Sequence, residues 1–320
     1  MHNFRWFFSL CLCFIVRECS AHNDNSIIHH VLDDYSWQIF KTPTINATIY
    51  LPIITLSKNG FKIFSSKHLT HDTPYEGFIL NEEGHLESID KTTKFIDLSV
   101  TKNILAIFIS LLLLLFVLLF CAGWYRRHPN KAPGGVVGIV EVFILYMVDS
   151  VIKPNIGKRY KSFTPFLLTV FFYIWLNNVL GLLPGWANVT GNITVTACLA
   201  LITFFITNFN ANRHYWKEIF CPAVPKFLYP IMIPIECIGI MTKPLTLMIR
   251  LFANITSGHI ILLSIINLAF IFHSYTFGII GVFINTFMIT LKLLVSFLQA
   301  YIFTLLSAIY IGAATKHNHE

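Results

Sequence analysis

The chain reads Lys243-Pro-Leu-Thr-Leu-Met-Ile-Arg250-Leu-Phe-Ala-Asn254-Ile-Thr-Ser-Gly-His259 inside one apolar segment that covers residues 227–272. At ~1.5 Å per helical residue, this segment is about twice as long as a perpendicular membrane span needs. An arginine at the centre of a membrane helix costs about 2.5–3.5 kcal/mol even on the mildest insertion scale, so it normally faces a partner or an aqueous cavity. Within residues 227–315, Glu236 is the one acid, while Lys243 and Lys292 add further positive charge. The sequence therefore predicts that another subunit supplies the anion opposite Arg250.

The composition is that of a polytopic membrane protein. Hydrophobic residues make up 55% of the chain, charged residues 12%, and the mean hydropathy is +0.65. The net charge of +7 is dispersed along the chain, so we expect no nucleic-acid-binding patch. The seven cysteines are scattered and the histidine pairs lack a third ligand at a suitable spacing. We therefore predict no disulfide framework, no bound metal and no cofactor.

The N-terminal third predicts an exported segment behind a targeting sequence. Residues 1–21 contain one early arginine, a short apolar run and a small-residue pair, which is typical of a cleavable signal peptide. An uncleaved anchor is the alternative, because charged residues stand close to the expected cleavage site. Residues 22–102 then form an exported segment of mixed charge with turn residues such as Asn59-Gly60. Residues 103–320 are the predicted membrane domain.

The membrane domain predicts an all-α polytopic fold of about five membrane helices. The predicted spans cover residues 103–123, 164–183, 193–209, 227–272 and 277–312, and the last two form a long tilted hairpin. Residues 136–152 predict an additional interfacial helix with Glu141 and Asp149 on its polar side. Lysine and arginine alternate between loops as the positive-inside rule requires, which places the N-terminal segment outside the cytoplasm and the C-terminus inside it.

Polar residues recur at helical spacing on the last two predicted helices. They are Lys243, Thr246, Arg250, Asn254 and Ser257 on the first helix, and Lys292, Ser296 and Gln299 on the second. Residues at this spacing share one helix face. Two antiparallel helices with facing polar stripes indicate an ion path. Hydrogen bonding between the helices by serine, threonine and asparagine is the alternative.

Two runs of sequence are similar to those of a known family. The run from Glu236 to His259 and the run Phe297-Leu-Gln-Ala-Tyr-Ile-Phe303 resemble subunit a of F-type ATP synthases. The run Asn178-Val-Leu-Gly-Leu-Leu-Pro184 matches the family's second spanning helix, and the resemblance extends over roughly residues 120–315. The exported segment lies outside it. An ion-coupled secondary transporter is the alternative function, although such proteins show internal repeats with paired broken helices, which this chain lacks.

The resemblance implies a noncatalytic subunit of a proton turbine in the bacterial plasma (inner) membrane. In this family, subunit a is the stator: it forms two offset proton half-channels against a rotating ring of c subunits, beside b subunits and the rest of the complex. Arg250 matches the essential arginine that separates the half-channels. Asn254 and Gln299 match polar positions around it, while Glu236 and His259 match half-channel residues. ATP chemistry would then occur in other subunits.

Lys292 departs from the family, which usually has glutamate or histidine seven residues before the position of Gln299. A lysine there could shuttle protons with a depressed pKa, could snorkel away, or could mark a relay in which water and His259 suffice. His259 could relay protons because its unperturbed pKa lies near 6.5, or it could be a hydrogen-bonded lining residue. Whether protons or sodium ions drive the turbine depends largely on the c subunit.

Overall fold

The computed structural model describes residues 35–42, 45–57, 60–69, 75, 77–80, 86–88, 95–128, 131–183, 186–187, 189–221, 225–271 and 275–315. The predicted signal peptide lies outside the described residues. Contacts divide the described residues into two compact units. The first unit falls within residues 1–109, 180–189 and 258–291, and the second within residues 110–179, 190–257 and 292–320.

The predicted exported segment folds as short β-strands. They are β1 (Ser36–Thr42), β2 (Ile45–Tyr50), β3 (Pro52–Ser57), β4 (Gly60–Ser65), β5 (Phe78–Leu80), β6 (Leu86–Ser88) and β7 (Phe95–Asp97). All described pairings are antiparallel: β1 pairs with β2, β5 pairs with β6, and β3 lies between β4 and β7. Strand β3 ends at Ser57 and β4 begins at Gly60, and these two residues are paired. Asn59 of the predicted turn lies outside the described residues.

A small apolar core holds the strands together. Its buried members are Tyr35, Ile53, Phe64, Leu69, Phe78 and Leu86. The ring of Phe78 stacks on Phe64 at 6.1 Å and meets the ring of Phe95 edge-on at 5.2 Å. These aromatic contacts come from three different strands, and they give the segment a core of its own.

The other described residues are mostly helical. The helices are α1 (Lys102–Arg127), α2 (Gly135–Tyr146), α3 (Tyr160–Leu180), α4 (Ile193–Phe209), α5 (Arg213–Phe220), α6 (Tyr229–Ile271) and α7 (Tyr275–Thr315). Within the described residues, four stretches are long and apolar enough to cross a membrane: 102–127, 135–180, 229–258 and 283–315. The shorter helix α4 is also apolar. The prediction of a helical polytopic membrane protein is therefore confirmed.

The predicted interfacial helix differs in detail from the structure. Helix α2 ends at Tyr146 and continues into one wider π-turn, Met147–Ile152, followed by a short helical turn, Lys153–Ile156. Pro154 has no backbone N–H, so it cannot continue an α-helical ladder from the preceding turn. Gly157 then takes a positive φ of 74° and redirects the chain into α3.

The core of the second unit is formed by side chains from α1, α3, α4, α6 and α7 and from the π-turn. Its largest fully buried members are Phe171, Met147, Ile152, Leu167, Ile174, Leu247, Leu251 and Ile311. Backbone also meets backbone here, because a Cβ atom added at Gly312 would overlap the carbonyl oxygen of Asn155. Helix α7 therefore passes directly against the chain at residues 155 and 156.

The end of α7 is capped by a distant residue. The backbone N–H of Asn212 donates to the carbonyl oxygen of Ala314 at 2.9 Å, and its Nδ2 donates to that of Thr315 at 2.8 Å. The last carbonyls of a helix have no partner within the helix. Asn212, in the connection between α4 and α5, satisfies two of them.

Candidate functional site

The predicted polar residues of α6 follow the border between its packed side and its open side. Leu247 and Leu251 are buried in the core, with 2% and 1% of their surface exposed. Lys243 and Asn254 lie beside these leucines and are half-buried, whereas Arg250 is exposed. The guanidinium therefore stands at the edge of the packed core, where a partner can approach it.

Lys243 is held by two tyrosines from other helices. Its Nζ donates a hydrogen bond to the hydroxyl of Tyr215 at 3.5 Å. The same atom lies 5.5 Å from the ring centroid of Tyr215 and 5.5 Å from that of Tyr310. At this distance a cation is attracted to the ring faces. Because Tyr215 belongs to α5 and Tyr310 to α7, this lysine cage joins three helices.

A small cavity with a mostly apolar wall lies next to the lysine cage. Besides the cage residues, its polar lining includes Thr203, Thr207 and Asn208 of α4. The Oδ1 atom of Asn208 is buried and accepts no hydrogen bond from the part of the chain that the structure describes. A buried carbonyl oxygen of this kind is a suitable ligand for a water molecule.

Glu236 lies near the cage on the same helix as Lys243. It is half-buried, and its charge acts on both Lys243 and Tyr215. Burial raises the pKa of the Tyr215 hydroxyl, and the negative charge of Glu236 raises it further. The structure thus gathers one acid, one cation and two tyrosines, and the cation, Lys243, stands about two helical turns before Arg250.

The polar stripe of α7 also follows a border. Lys292, Ser296 and Gln299 are half-buried, while Ala300 is fully buried directly after Gln299. Leu298, on the other side of Gln299 along the chain, is 44% exposed. Further along α7, Tyr310 lies close enough to Arg250 for the two groups to interact electrostatically. Tyr310 thus brings α7 close to the part of α6 that carries Lys243 and Arg250.

Asn178 connects three parts of the second unit, and it was not among the predicted site residues. Its Oδ1 accepts a hydrogen bond from the Thr190 hydroxyl at 2.8 Å. Its Nδ2 donates to the backbone carbonyl of Ser296 at 3.3 Å. Ser296 belongs to the stripe of α7, so Asn178 positions that stripe from α3. The only sequence signal was that Asn178 opens the family run that ends at Pro184.

The hydroxyl groups of the stripes bond within their own helices. Thr246 donates to the carbonyl of Thr242 at 2.8 Å, and Ser257 donates to that of Asn254 at 3.1 Å. Buried Thr304 likewise donates to Ala300 of α7 at 2.8 Å. These hydroxyls do not join helix to helix, which disfavours the packing alternative for the stripes.

The side chain of His259 lies outside the described residues. Its backbone belongs to α6. The predicted pairing of His259 with Lys292 is not tested by the structure, and both proton-relay roles stay predictions.

Comparison with known proteins identifies the family of this chain. The sequence model described as ATP synthase A chain matches residues 104–312, which include every predicted site residue. This chain belongs to the ATP synthase subunit a family. A second sequence model, a domain of unknown function named DUF8433, matches residues 26–104 and so covers the described strands and the first residues of α1.

Curated relatives agree with this assignment. A protein of Chloroherpeton thalassium named ATP synthase subunit a is 42% identical over 226 residues, covering 69% of this chain and 68% of the relative. One from Chlorobium phaeobacteroides BS1 is 43% identical over 231 residues, covering 70% and 68%. One from Myxococcus xanthus is 38% identical over 235 residues, covering 70% and 76%. Membership of this family assigns the chain a stator role in the proton-translocating membrane sector of an ATP synthase.

Proposed function

We propose that this chain forms the stationary wall of two proton half-channels, with Arg250 as the barrier between them and a rotating ring of c subunits opposite. The observation that carries the proposal is the position of Arg250. It is an exposed cation at the edge of the packed side of a membrane helix, and Tyr310 of α7 lies close enough to interact with it electrostatically. Family membership supports this reading.

Charge balance supports a partner that brings a carboxylate. Glu236 is the one acid on α6, and it stands fourteen residues before Arg250. At ~1.5 Å per residue, this separation is roughly 21 Å along the helix. Glu236 is too distant to neutralise the guanidinium, and it acts on Lys243 instead. A carboxylate on the ring that passes Arg250 would complete the missing pair.

The chemistry of arginine fits a barrier. A guanidinium stays charged at all physiological pH values, so it cannot accept and release the transported proton. Its charge would keep a passing carboxylate ionised and would prevent direct leakage between the half-channels. Each proton that descends the membrane potential supplies ~2.3 kcal/mol per 100 mV, which biases the rotation of the ring.

The two half-channels would begin on opposite sides of Arg250. On one side, the lysine cage, the small cavity beside it and Glu236 would line a route near α5, whose Arg213 and Lys217 mark the predicted cytoplasmic side. On the other side we place His259 and Lys292, following the family positions. Asn254 and Gln299 would line the path next to Arg250. The b subunits and the N-terminal segment outside the cytoplasm complete the proposed arrangement in the inner membrane.

The decisive experiment replaces Arg250 in the complete ATP synthase. Arg250→Ala removes the charge that holds the ring carboxylate ionised, so we expect proton-driven ATP synthesis to be lost while the complex still assembles. Arg250→Lys keeps a positive charge but loses the fixed geometry and high pKa of the guanidinium, and we expect it to fail as well. ATP synthesis is measured in vesicles that contain the purified complex and an imposed proton gradient.

A matched control variant distinguishes the effect of losing Arg250 from the effect of losing a positive charge elsewhere. Arg159 is an exposed arginine in the turn before α3, outside the two stripes. Arg159→Ala removes the same charge and should leave synthesis at the wild-type rate. Wild-type synthesis by either Arg250 variant would exclude Arg250 from the mechanism.

A further inference from the structure

The three-stranded sheet in the first unit has an uncovered apolar side. Four large side chains on this side are exposed by 44–60%, and we call them the apolar sheet face: Leu56, Phe61, Ile63 and Leu98. A contiguous exposed apolar surface on a folded segment marks a binding surface. The segment matches a domain of unknown function, so neither the family nor its relatives assign a role to this surface.

The register of the strands shows that these side chains share one side. Across β3 and β4, Leu56 is paired with Phe61 and Ile54 with Ile63, and these two pairs are two residues apart. The pair of Ile53 and Phe64 is one residue further along. Successive residues of a strand alternate between the two faces of a sheet. Ile53 and Phe64 are buried in the core, so the other members face away from it. Leu98, the residue after β7, continues the same side, because its N–H donates to the carbonyl of Ile54 at 2.9 Å.

The sheet is tied to the start of a membrane helix. The N–H of Val100 donates to the carbonyl of Pro52 at 3.3 Å, and α1 begins two residues later at Lys102. A residue spans at most about 3.6 Å, so the last tie to the sheet lies within roughly 7 Å of the helix along the chain. Helix α1 has 26 residues, which is long enough to cross the hydrocarbon core. The sheet is therefore held near the level where the chain enters the bilayer.

A second contact fixes the strands at the same level. Trp37 of β1 meets Trp186 edge-on, with the ring centroids 5.5 Å apart. Trp186 lies in the connection between α3 and α4, which is the predicted loop on the side where α1 begins. Tryptophan is enriched at membrane–water interfaces because its ring is apolar and its N–H is polar. Two separate connections thus hold the strands at the membrane surface.

Exposed apolar residues continue along the chain from the apolar sheet face into α1. Leu98 is 55% exposed at one end of the face, and Ile104 and Phe108 are exposed on the first turns of α1. None of the members of the face is charged. Apolar surfaces of this kind insert between the headgroups and the first acyl carbons of a bilayer.

We propose that the apolar sheet face lies in the interfacial layer of the bilayer, on the side where α1 begins, and that its ligand is lipid. The exported segment then rests on the membrane instead of projecting into the aqueous compartment. The proposal is independent of the proton path, since it concerns residues that precede α1.

The test is photo-crosslinking in the complete complex in its native membrane. Benzoyl-phenylalanine replaces Phe61 in one variant and Ile63 in another, and both positions are exposed, so the fold is retained. The control places the same probe at Glu87, an exposed residue of β6 that lies on a different sheet. After irradiation, the complex is purified and the adducts are identified by mass spectrometry.

We expect lipid adducts at residues 61 and 63 and no lipid adducts at residue 87. Adducts to another subunit or to a second copy of this chain would overturn the proposal and would identify a protein interface. Adducts to other residues of this chain, or no adducts at either position, would overturn it too. Normal ATP synthesis in the variants would show that the proton path was intact in every case.

Discussion

Replacing Gly312 by alanine tests the closest approach in the second unit. A Cβ atom at this position would overlap the carbonyl oxygen of Asn155 and would lie 2.9 Å from its carbonyl carbon. It would also lie 3.5 Å from the Cα of Ile156. All three atoms belong to the backbone, so no rotamer change relieves the overlap. Helix α7 must move away from the chain that precedes α3.

The expected loss follows from this geometry. Overpacking a tight contact costs about 1–3 kcal/mol. Alanine is otherwise favoured over glycine inside a helix by up to about 1 kcal/mol, so a net loss has to come from the overlap. A change of about 1–3 kcal/mol alters the ratio of folded to unfolded molecules roughly 5-fold to 150-fold.

The assay is thermal release of this subunit from the detergent-solubilised ATP synthase, followed on native gels. We expect release at a lower temperature for Gly312→Ala than for the wild type. Gly123→Ala in α1 is the control, because no atom lies within 4 Å of a Cβ atom at Gly123. Equal release temperatures for the two variants would refute the close approach at Asn155.

Two further predictions use the same release assay. Asn178→Leu removes the acceptor of the buried Thr190 hydroxyl and should destabilise the subunit by about 1–3 kcal/mol. Adding Thr190→Val to this variant should destabilise it little further, because the hydrogen bond is already lost. Fully additive losses in the double variant would contradict the coupling of the two side chains. The raised pKa of Tyr215 favours its neutral form in the fold, so this stabilisation is complete below the unfolded pKa of about 10 and is lost as the pH rises further. Tyr215→Phe should therefore flatten the decline of stability above that pH, and an unchanged decline would count against the buried hydroxyl.

The membrane helices could be predicted from sequence because each satisfies its own backbone hydrogen bonds in lipid. A run of apolar residues of sufficient length is then enough evidence. Helices α4, α6 and α7 begin and end within a few residues of the predicted spans 193–209, 227–272 and 277–312, while their course through the bilayer stays a prediction. The π-turn at Met147–Ile152 was not predicted from the sequence.

The strands could not be predicted in the same way. Period-2 alternation of apolar and polar residues is the sequence signal for a half-buried strand. In β4, the exposed side carries Phe61 and Ile63 and the buried side carries Phe64, so both sides are apolar and the alternation is lost. Strand β3 also pairs with β7, which comes much later in the chain. The apolar exposed side that removes the alternation signal is also the surface for which we propose lipid contact.

The residues of the candidate site were also predicted only in part from the sequence. Arg250 was identified because one charge in an apolar run is costly wherever the helix packs. The cage around Lys243 was missed, because Tyr215 and Tyr310 come from other helices and tyrosine is common at membrane boundaries. Asn178 was visible only as part of a family run, and its bond to Thr190 exists only in the folded chain.

The cap that Asn212 provides for α7 has a consequence for the order of biogenesis. A chain leaves the ribosome from its N-terminus, so Asn212 is made 103 residues before Thr315, whose carbonyl it binds. Asn212 is therefore synthesised before the two long helices α6 and α7 are translated and inserted. Only a chain translated to its last turn closes this bond. A truncated product that stops within α7 would leave the side chain of Asn212 without that acceptor, which distinguishes an unfinished subunit from a finished one.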